Sequence, residues 1–126
     1  MTRFAFAIRL ADEVAAERYR AAHRDVWPEI AGPGGALETI GVRAMRIYLA
    51  PPLSLFMVVE AEDGFDPVRD FARALDLDPR VREWDETMHG QLLVRLEGNR
   101  GPLEWTVMDE VYSFEAAATA PASRGA

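Results

Sequence analysis

The 126-residue chain contains neither lysine nor cysteine, and only two histidines. Without lysine it lacks the amine on which Schiff-base aldolases, pyridoxal enzymes and P-loop nucleotidases depend. Without cysteine it has no thiol nucleophile, disulfide, iron–sulfur ligand or zinc-finger site. No spacing of His23 or His89 against the carboxylates matches a metal site, so neither a metal nor a cofactor is expected. Basic residues are outnumbered, 14 against 21 acidic, and the net charge of -7 repels phosphate backbones, so nucleic acid is not an expected partner. No apolar run approaches the roughly 18 residues that cross a bilayer, and the opening MTRFAFAIRL alternates too strictly for a signal peptide. A cytoplasmic protein with no membrane partner is expected.

What is present is an ordinary globular composition, 49% hydrophobic, 28% charged and 10% aromatic in 14.1 kDa. The length suits one α+β domain over residues 1–115, and the segment AAATAPASRGA, residues 116–126, has nothing to bury and is expected to be a disordered tail. From Arg3 to Leu10, Phe4, Phe6, Ile8 and Leu10 alternate with Arg3, Ala5, Ala7 and Arg9, the period-2 mark of a strand. Asp12 offers a helix N-cap, and Ala15, Tyr19, Ala22, His23, Val26 and Ile30 share one helical stripe, which predicts a helix to Ile30. The glycine- and proline-containing segment 32–39 reads as a loop. Strands at 41–49 and 53–62 form a hairpin across Ala50-Pro51-Pro52. Asp66-Pro67 and Asp78-Pro79 each set an N-cap and first helical position, for two helical pieces that run to about Arg95. After a loop from Glu97 to Thr106, a last strand covers 107–114.

The resulting order, β-α-β-β-α-β, is the ferredoxin-like arrangement. Ala5, Ala7, Val42, Ala44, Phe56 and Val58 fall opposite the helix-facing set and need a second cover. Another copy of the sheet supplies it, so a homodimer in the manner of dimeric α+β barrels is expected.

Tyr19, His23 and Trp27 are spaced i, i+4, i+8, which stacks a phenol, an imidazole and an indole on one helix edge. Polar atoms buried without partners cost about 1–3 kcal/mol, so this pattern favours a pocket over plain packing, although a satisfied core histidine between aromatics fits the same spacing. Trp84 and Met88 form an i, i+4 pair in which Trp84 offers a flat face suited to a sugar. His89, one position off that strip, reads as a solvated histidine. Asp109 or Glu110 could orient the imidazole.

The run Tyr19-Arg-Ala-Ala-His23-Arg-Asp-Val-Trp27-Pro28-Glu29 resembles the Y-x-x-x-H-x-x-x-W-P-E signature of the L-rhamnose mutarotase family, and weaker strand matches extend the resemblance over residues 3–114. The resemblance implies a dimeric ferredoxin-like α+β barrel and cofactor-free interconversion of the α and β anomers of a 6-deoxy sugar, L-rhamnose or L-fucose. It implies His23 as general acid/base, Tyr19 as its acid/base or sugar-binding partner, and a sugar site that includes Trp84. Trp27, Met45 and Tyr48 complete the expected substrate-binding set. Three positions depart from the pattern: Met45 stands where a substrate-binding Tyr is expected, Asp85 replaces the second Trp of a pair, and Phe65 replaces another Trp. Two other readings share the fold or the pattern, namely a monooxygenase or haem-binding α+β barrel with a helix histidine as axial ligand, and a non-catalytic small-molecule binding module.

Overall fold

The computed structural model describes residues 1–117, so the expected disordered tail lies outside the described residues from residue 118 onward. Strand β1 (Thr2–Leu10) lies between β3 (Ser54–Ala61) and the short β4 (Leu93–Val94) and β5 (Thr106–Val107), while β2 (Val42–Ala50) pairs with the other side of β3. All pairings are antiparallel, in the order β2-β3-β1-β4. This is the ferredoxin-like α+β fold expected from the element order.

The helices cover one face of the sheet. Phe6, Ile8 and Leu10 of β1, with Leu55, Met57 and Val59 of β3, are fully or almost fully buried there. The core falls into two clusters. One gathers Phe6, Ile30, Ile40, Val42 and Val81 under α2 (Pro28–Ala31), α3 (Ala36–Thr39), α4 (Pro67–Ala74) and α5 (Pro79–Thr87). The other gathers Ile8, Leu10, Tyr19, Met88 and Leu92 under α1 (Glu13–Ala22) and the turn after α5. Only partly buried residues, Ile47, Trp84 and Trp105, touch both clusters.

Asp12, Asp66 and Asp78 cap their helices as expected, accepting from Ala15 N at 2.8 Å, Val68 N at 2.9 Å and Arg80 N at 2.8 Å. The first helix, however, ends at Ala22 and not at Ile30. Pro28 offers no amide hydrogen and forces Trp27 before it into an extended conformation, so a second short helix starts at Pro28. The segment read as a loop at 32–39 contains α3, started at Gly35.

The second helical stretch does not reach Arg95. It widens into one π-helical turn (Met88–Leu92) and then joins β1 as β4, with Leu10 opposite Leu93. The last strand is also shorter than read. Only Thr106 and Val107 pair with β1, Met108 N donates to Ala5 O at 2.8 Å, and residues 108–117 form no regular element and expose Val111, Tyr112 and Phe114. Alternation gave this segment a strand pattern, but no second strand lies beside it among the described residues.

One facing assignment is corrected. A β-bulge between Val42 and Ala44 inserts Arg43 as an extra residue, so Val42 opposite Ala61 and Met45 opposite Val59 both face the helices. Val42 therefore belongs to the core and not to the far face. The far face carries the rows Ala7–Phe56–Tyr48 and Ala5–Val58–Arg46.

Candidate functional site

The candidate site lies where the two core clusters meet, at Ile47, Trp84 and Trp105. His23 caps the C-terminus of α1, and its ring stacks on Tyr19 with centroids 4.1 Å apart. Trp84 of α5 meets His23 edge-on at 5.2 Å and Trp27 edge-on at 5.3 Å. Tyr19, His23, Trp84 and Trp27 are thus joined in one aromatic chain; the i, i+4 spacing stacks Tyr19 on His23, but the helix breaks before Trp27, which meets Trp84 instead of His23. Across from them β2 contributes Met45 and Ile47, and the segment before β5 contributes Trp105.

The tautomer of His23 follows from its partner. Nδ1 lies 2.8 Å from the main-chain oxygen of Tyr19, which accepts hydrogen bonds and cannot donate them. Nδ1 therefore carries the hydrogen, and in the neutral ring Nε2 keeps a lone pair. A backbone carbonyl, not Asp109 or Glu110, orients the imidazole. Burial lowers the His23 pKa below the ordinary imidazole value, opposed in part by the bond to Tyr19. The ring is therefore neutral at pH 7 and able to accept a proton. Burial also pushes the Tyr19 phenol far above its ordinary value, so it remains protonated and available as a donor. Its hydroxyl has no hydrogen-bond partner among the described residues and is not sealed from the surface.

Tyr48 does not join the others. In the β2 register it pairs with Phe56 and points to the far face of the sheet, where it is 55% exposed. The bulge at Arg43 sets this parity, and it cannot be seen in the sequence alternation. Met45, three positions earlier, lies on the helix side as the expected set required.

Three residues near the site lie outside the expected set. Arg80 lays its guanidinium 3.6 Å from the centroid of Trp27, a cation–π contact that fixes the indole plane. Trp105 packs between the clusters from a segment built around Asn99, whose amide donates to Leu103 O, Glu104 O and Thr106 Oγ1. His89, read as solvated, is bonded through Nδ1 to Glu104 Oε1 at 2.7 Å, and its Nε2 lies 3.9 Å from Asp85 Oδ1. Burial raises the Asp85 carboxyl above its ordinary range; the charge of His89 opposes this and that of Glu104 adds to it. Arg80 and Trp105 had only residue type as a signal, and His89 and Glu104 meet only because the loop folds back.

The family model for L-rhamnose mutarotase matches residues 3–114. The chain belongs to this family. A UPF0734 protein of Dictyostelium discoideum is 35% identical over 106 residues, 82% of each chain. Among solved structures, the L-rhamnose mutarotase of Formosa agariphila superposes with a TM-score of 0.63 at 21% identity, over 91% of this chain and all of that one. Tetracenomycin F2 cyclase of Streptomyces glaucescens, a type-II polyketide cyclase, superposes with a TM-score of 0.61 at 24% identity over 92% and 99% of the two chains. Both structural likenesses are of fold.

Set against the family signature, the three departures differ in kind. Phe65 is core, packed 5.7 Å from Phe4 and 5.5 Å from Phe71 between ring centroids. Met45 packs against the same core cluster as Trp27 and Trp84, and Asp85 follows Trp84 in α5 with its carboxylate 3.9 Å from His89 Nε2. Among the described residues no group of three His, Cys, Asp or Glu side chains is placed to hold a metal ion, and no helix is long and apolar enough to cross a membrane.

Proposed function

We propose that the protein is an aldose 1-epimerase that interconverts the α and β anomers of a 6-deoxy sugar, L-rhamnose or L-fucose, with His23 and Tyr19 as the acid/base pair. The observation that carries this reading is the fixed tautomer of His23, a neutral imidazole whose Nε2 lone pair lies beside a phenol kept in its protonated form. Mutarotation needs one group to take the proton of the anomeric hydroxyl while another delivers a proton to the ring oxygen. His23 Nε2 takes the first proton and Tyr19 gives the second, which opens the ring to the aldehyde. Rotation about the C1–C2 bond exposes the other carbonyl face, and closure returns both protons. No covalent intermediate is required, in keeping with a chain that has no Lys and no Cys.

The walls fit such a ligand. Trp84, Trp27 and Trp105 offer flat apolar faces to the C–H surfaces of a sugar, and Met45 and Ile47 suit the methyl group of a 6-deoxy hexose. The protein acts as a homodimer in this reading. The far sheet face places the half-buried Phe56, Val58 and Ala5 side by side, and a second copy covers them, whereas Ala7, expected to need the same cover, is already buried within the one chain.

Saturation-transfer NMR on L-rhamnose, L-fucose and common hexoses tests the activity, because exchange between anomer peaks reports the reaction directly. The expected result is acceleration for a 6-deoxy sugar above the buffer rate. Exchange at the buffer rate for every sugar overturns the proposal.

A further inference from the structure

Trp105 lies in the segment 95–105 between β4 and β5, which forms no helix or strand. Thr106 pairs with Ala7 on the far face, so alternation along the chain turns Trp105 to the helix side, where it packs against both core clusters. Irregular chain gives an indole no register of its own, so its place depends on the bonds that fix the segment. Arg95 Nη1 donates to Gly101 O at 2.6 Å and to Leu103 O at 3.2 Å, and Gly101 N donates to Asn99 Oδ1 at 2.9 Å. The Asn99 amide closes the other end, on Glu104 O at 2.9 Å and Thr106 Oγ1 at 3.1 Å. The segment is therefore one body. A cleft of about 500 Å³, lined by Val68 of α4, Leu96, Asn99, Trp105 and Val107, runs along it, so α4 does not pack it in place.

Among the described residues a single side-chain bond ties this body to the helical layer: Glu104 Oε1 lies 2.7 Å from His89 Nδ1. The carboxylate accepts, so Nδ1 donates whether or not the ring carries a charge. His89 stands on the π-helical turn (Met88–Leu92), a rare element that occurs often at functional sites, and its Nε2 faces Asp85 of α5 at 3.9 Å. The ring thus lies between a carboxylate of α5 and one of the segment. Glu104 directly precedes Trp105.

We infer that His89 and Glu104 are positioning residues for Trp105: their bond fixes the chain one residue before the indole and so holds that ring as a wall of the site. The inference rests on the sugar reading for what Trp105 touches, and it does not depend on the roles of His23 and Tyr19. Neither His89 nor Glu104 needs to touch the sugar. A ring held in place before the ligand arrives loses less freedom on binding than a loose one, so the bond acts on binding more than on turnover.

Fluorotryptophan incorporated into the full chain gives one fluorine NMR signal per tryptophan, and Trp105→Leu assigns that of Trp105. Methyl α-L-rhamnoside, which cannot open its ring, is titrated into the wild type, His89→Leu, Glu104→Ala and His89→Gln, with thermal unfolding as the check on folding. The Trp105 signal is expected to move with the glycoside in the wild type, to be displaced or broadened from the start in His89→Leu and Glu104→Ala, and to return in His89→Gln, whose amide still donates to Glu104. The two variants that break the bond weaken glycoside binding by about threefold to tenfold and lower kcat less. Added to Trp105→Leu, either weakens binding no further. If His89→Leu does not fold, Glu104→Ala carries the same tests, its side chain being 34% exposed. A Trp105 signal unmoved by both variants, or by the glycoside in the wild type, overturns the inference. So does an equal loss of binding with and without the Trp105 ring, or a fall in kcat larger than the loss of binding. A displaced Trp105 signal and weakened glycoside binding in the variants, together with anomer exchange at the buffer rate in the wild type, supports the positioning and overturns the catalytic proposal instead.

Discussion

Tyr19 holds His23 twice, by its ring, stacked at 4.1 Å, and by its main-chain oxygen, 2.8 Å from Nδ1. Neither contact uses the phenol hydroxyl. Tyr19→Phe therefore keeps the orientation and tautomer of His23 and removes only the proposed acid. Turnover is expected to fall by about 10²-fold or more with little change in unfolding temperature, and His23→Ala by about 10²- to 10⁴-fold. Unchanged anomer exchange in a folded Tyr19→Phe protein places the phenol outside the chemistry.

Burial lowers the His23 pKa, so the neutral ring is the form the fold favours. The contribution of His23 to both base catalysis and stability is present above the ordinary value of 6.5 and is lost as pH falls through the lowered folded value. The acid limb of kcat/KM should accordingly have its midpoint below 6.5. A pH–rate profile with its midpoint at or above that value contradicts the assignment of His23 as the buried base.

Met45 and Tyr48 are three residues apart in β2 and face opposite sides of the sheet. Met45→Tyr adds a hydroxyl to the helix side of β2 and should shift the ratio of L-rhamnose to L-fucose exchange, whereas Tyr48→Phe should leave that ratio unchanged. Both ratios come from the same NMR experiment at equal protein concentration. A shift with Tyr48→Phe alone reverses the inside and outside assignments.

Asp70 is the buried charge of the helical layer, 3% exposed. Its carboxylate accepts from Asp66 N at 2.8 Å and pairs with Arg69 and Arg73, which hold its pKa well below the usual carboxylate range. Its contribution is present above 3.8 and lost only as pH falls well below that value. Asp70→Asn should cost about 1–3 kcal/mol in denaturant unfolding at pH 7, toward the lower end because both arginines are largely exposed. A difference that vanishes at pH 5 disproves the ionic account.

The far sheet face should bring two copies together. Sedimentation equilibrium is expected to give about twice 14.1 kDa, and Phe56→Arg to return the mass to 14.1 kDa. A wild-type monomer at micromolar concentration leaves that face without the proposed cover.

The first strand was legible because Phe4, Phe6, Ile8 and Leu10 recur with period two, β2 and β3 because they are apolar runs on either side of the Pro51-Pro52 turn, and the helix starts because Asp12, Asp66 and Asp78 combine capping oxygens with suitable spacing. The aromatic chain was legible in part for a different reason. Tyr19 and His23 lie one turn apart in α1 and its cap, and Trp27 rejoins them through Trp84 despite the break at Pro28. What escaped depends on long-range geometry. Leu92, Leu93 and Val94 continue a helical stripe as well as they make a strand, and the free edge of β1 decides between the two. His89 and Glu104 are 15 residues apart, and nothing local announces their bond.

The bulge at Arg43 gives β2 an unusual tolerance. Loss of Arg43 itself would cost its pairing with Glu62 but would leave Val42 and Met45 on successive inward positions of a regular strand. A one-residue gain or loss between Met45 and Leu49 would instead turn part of the strand over, exchanging Ile47 for Tyr48 on the helix side of the sheet. In this strand the polarity of the helix-facing side is governed by a residue count as much as by residue identity, and length variants of β2 can gain or lose a phenol there without a single substitution.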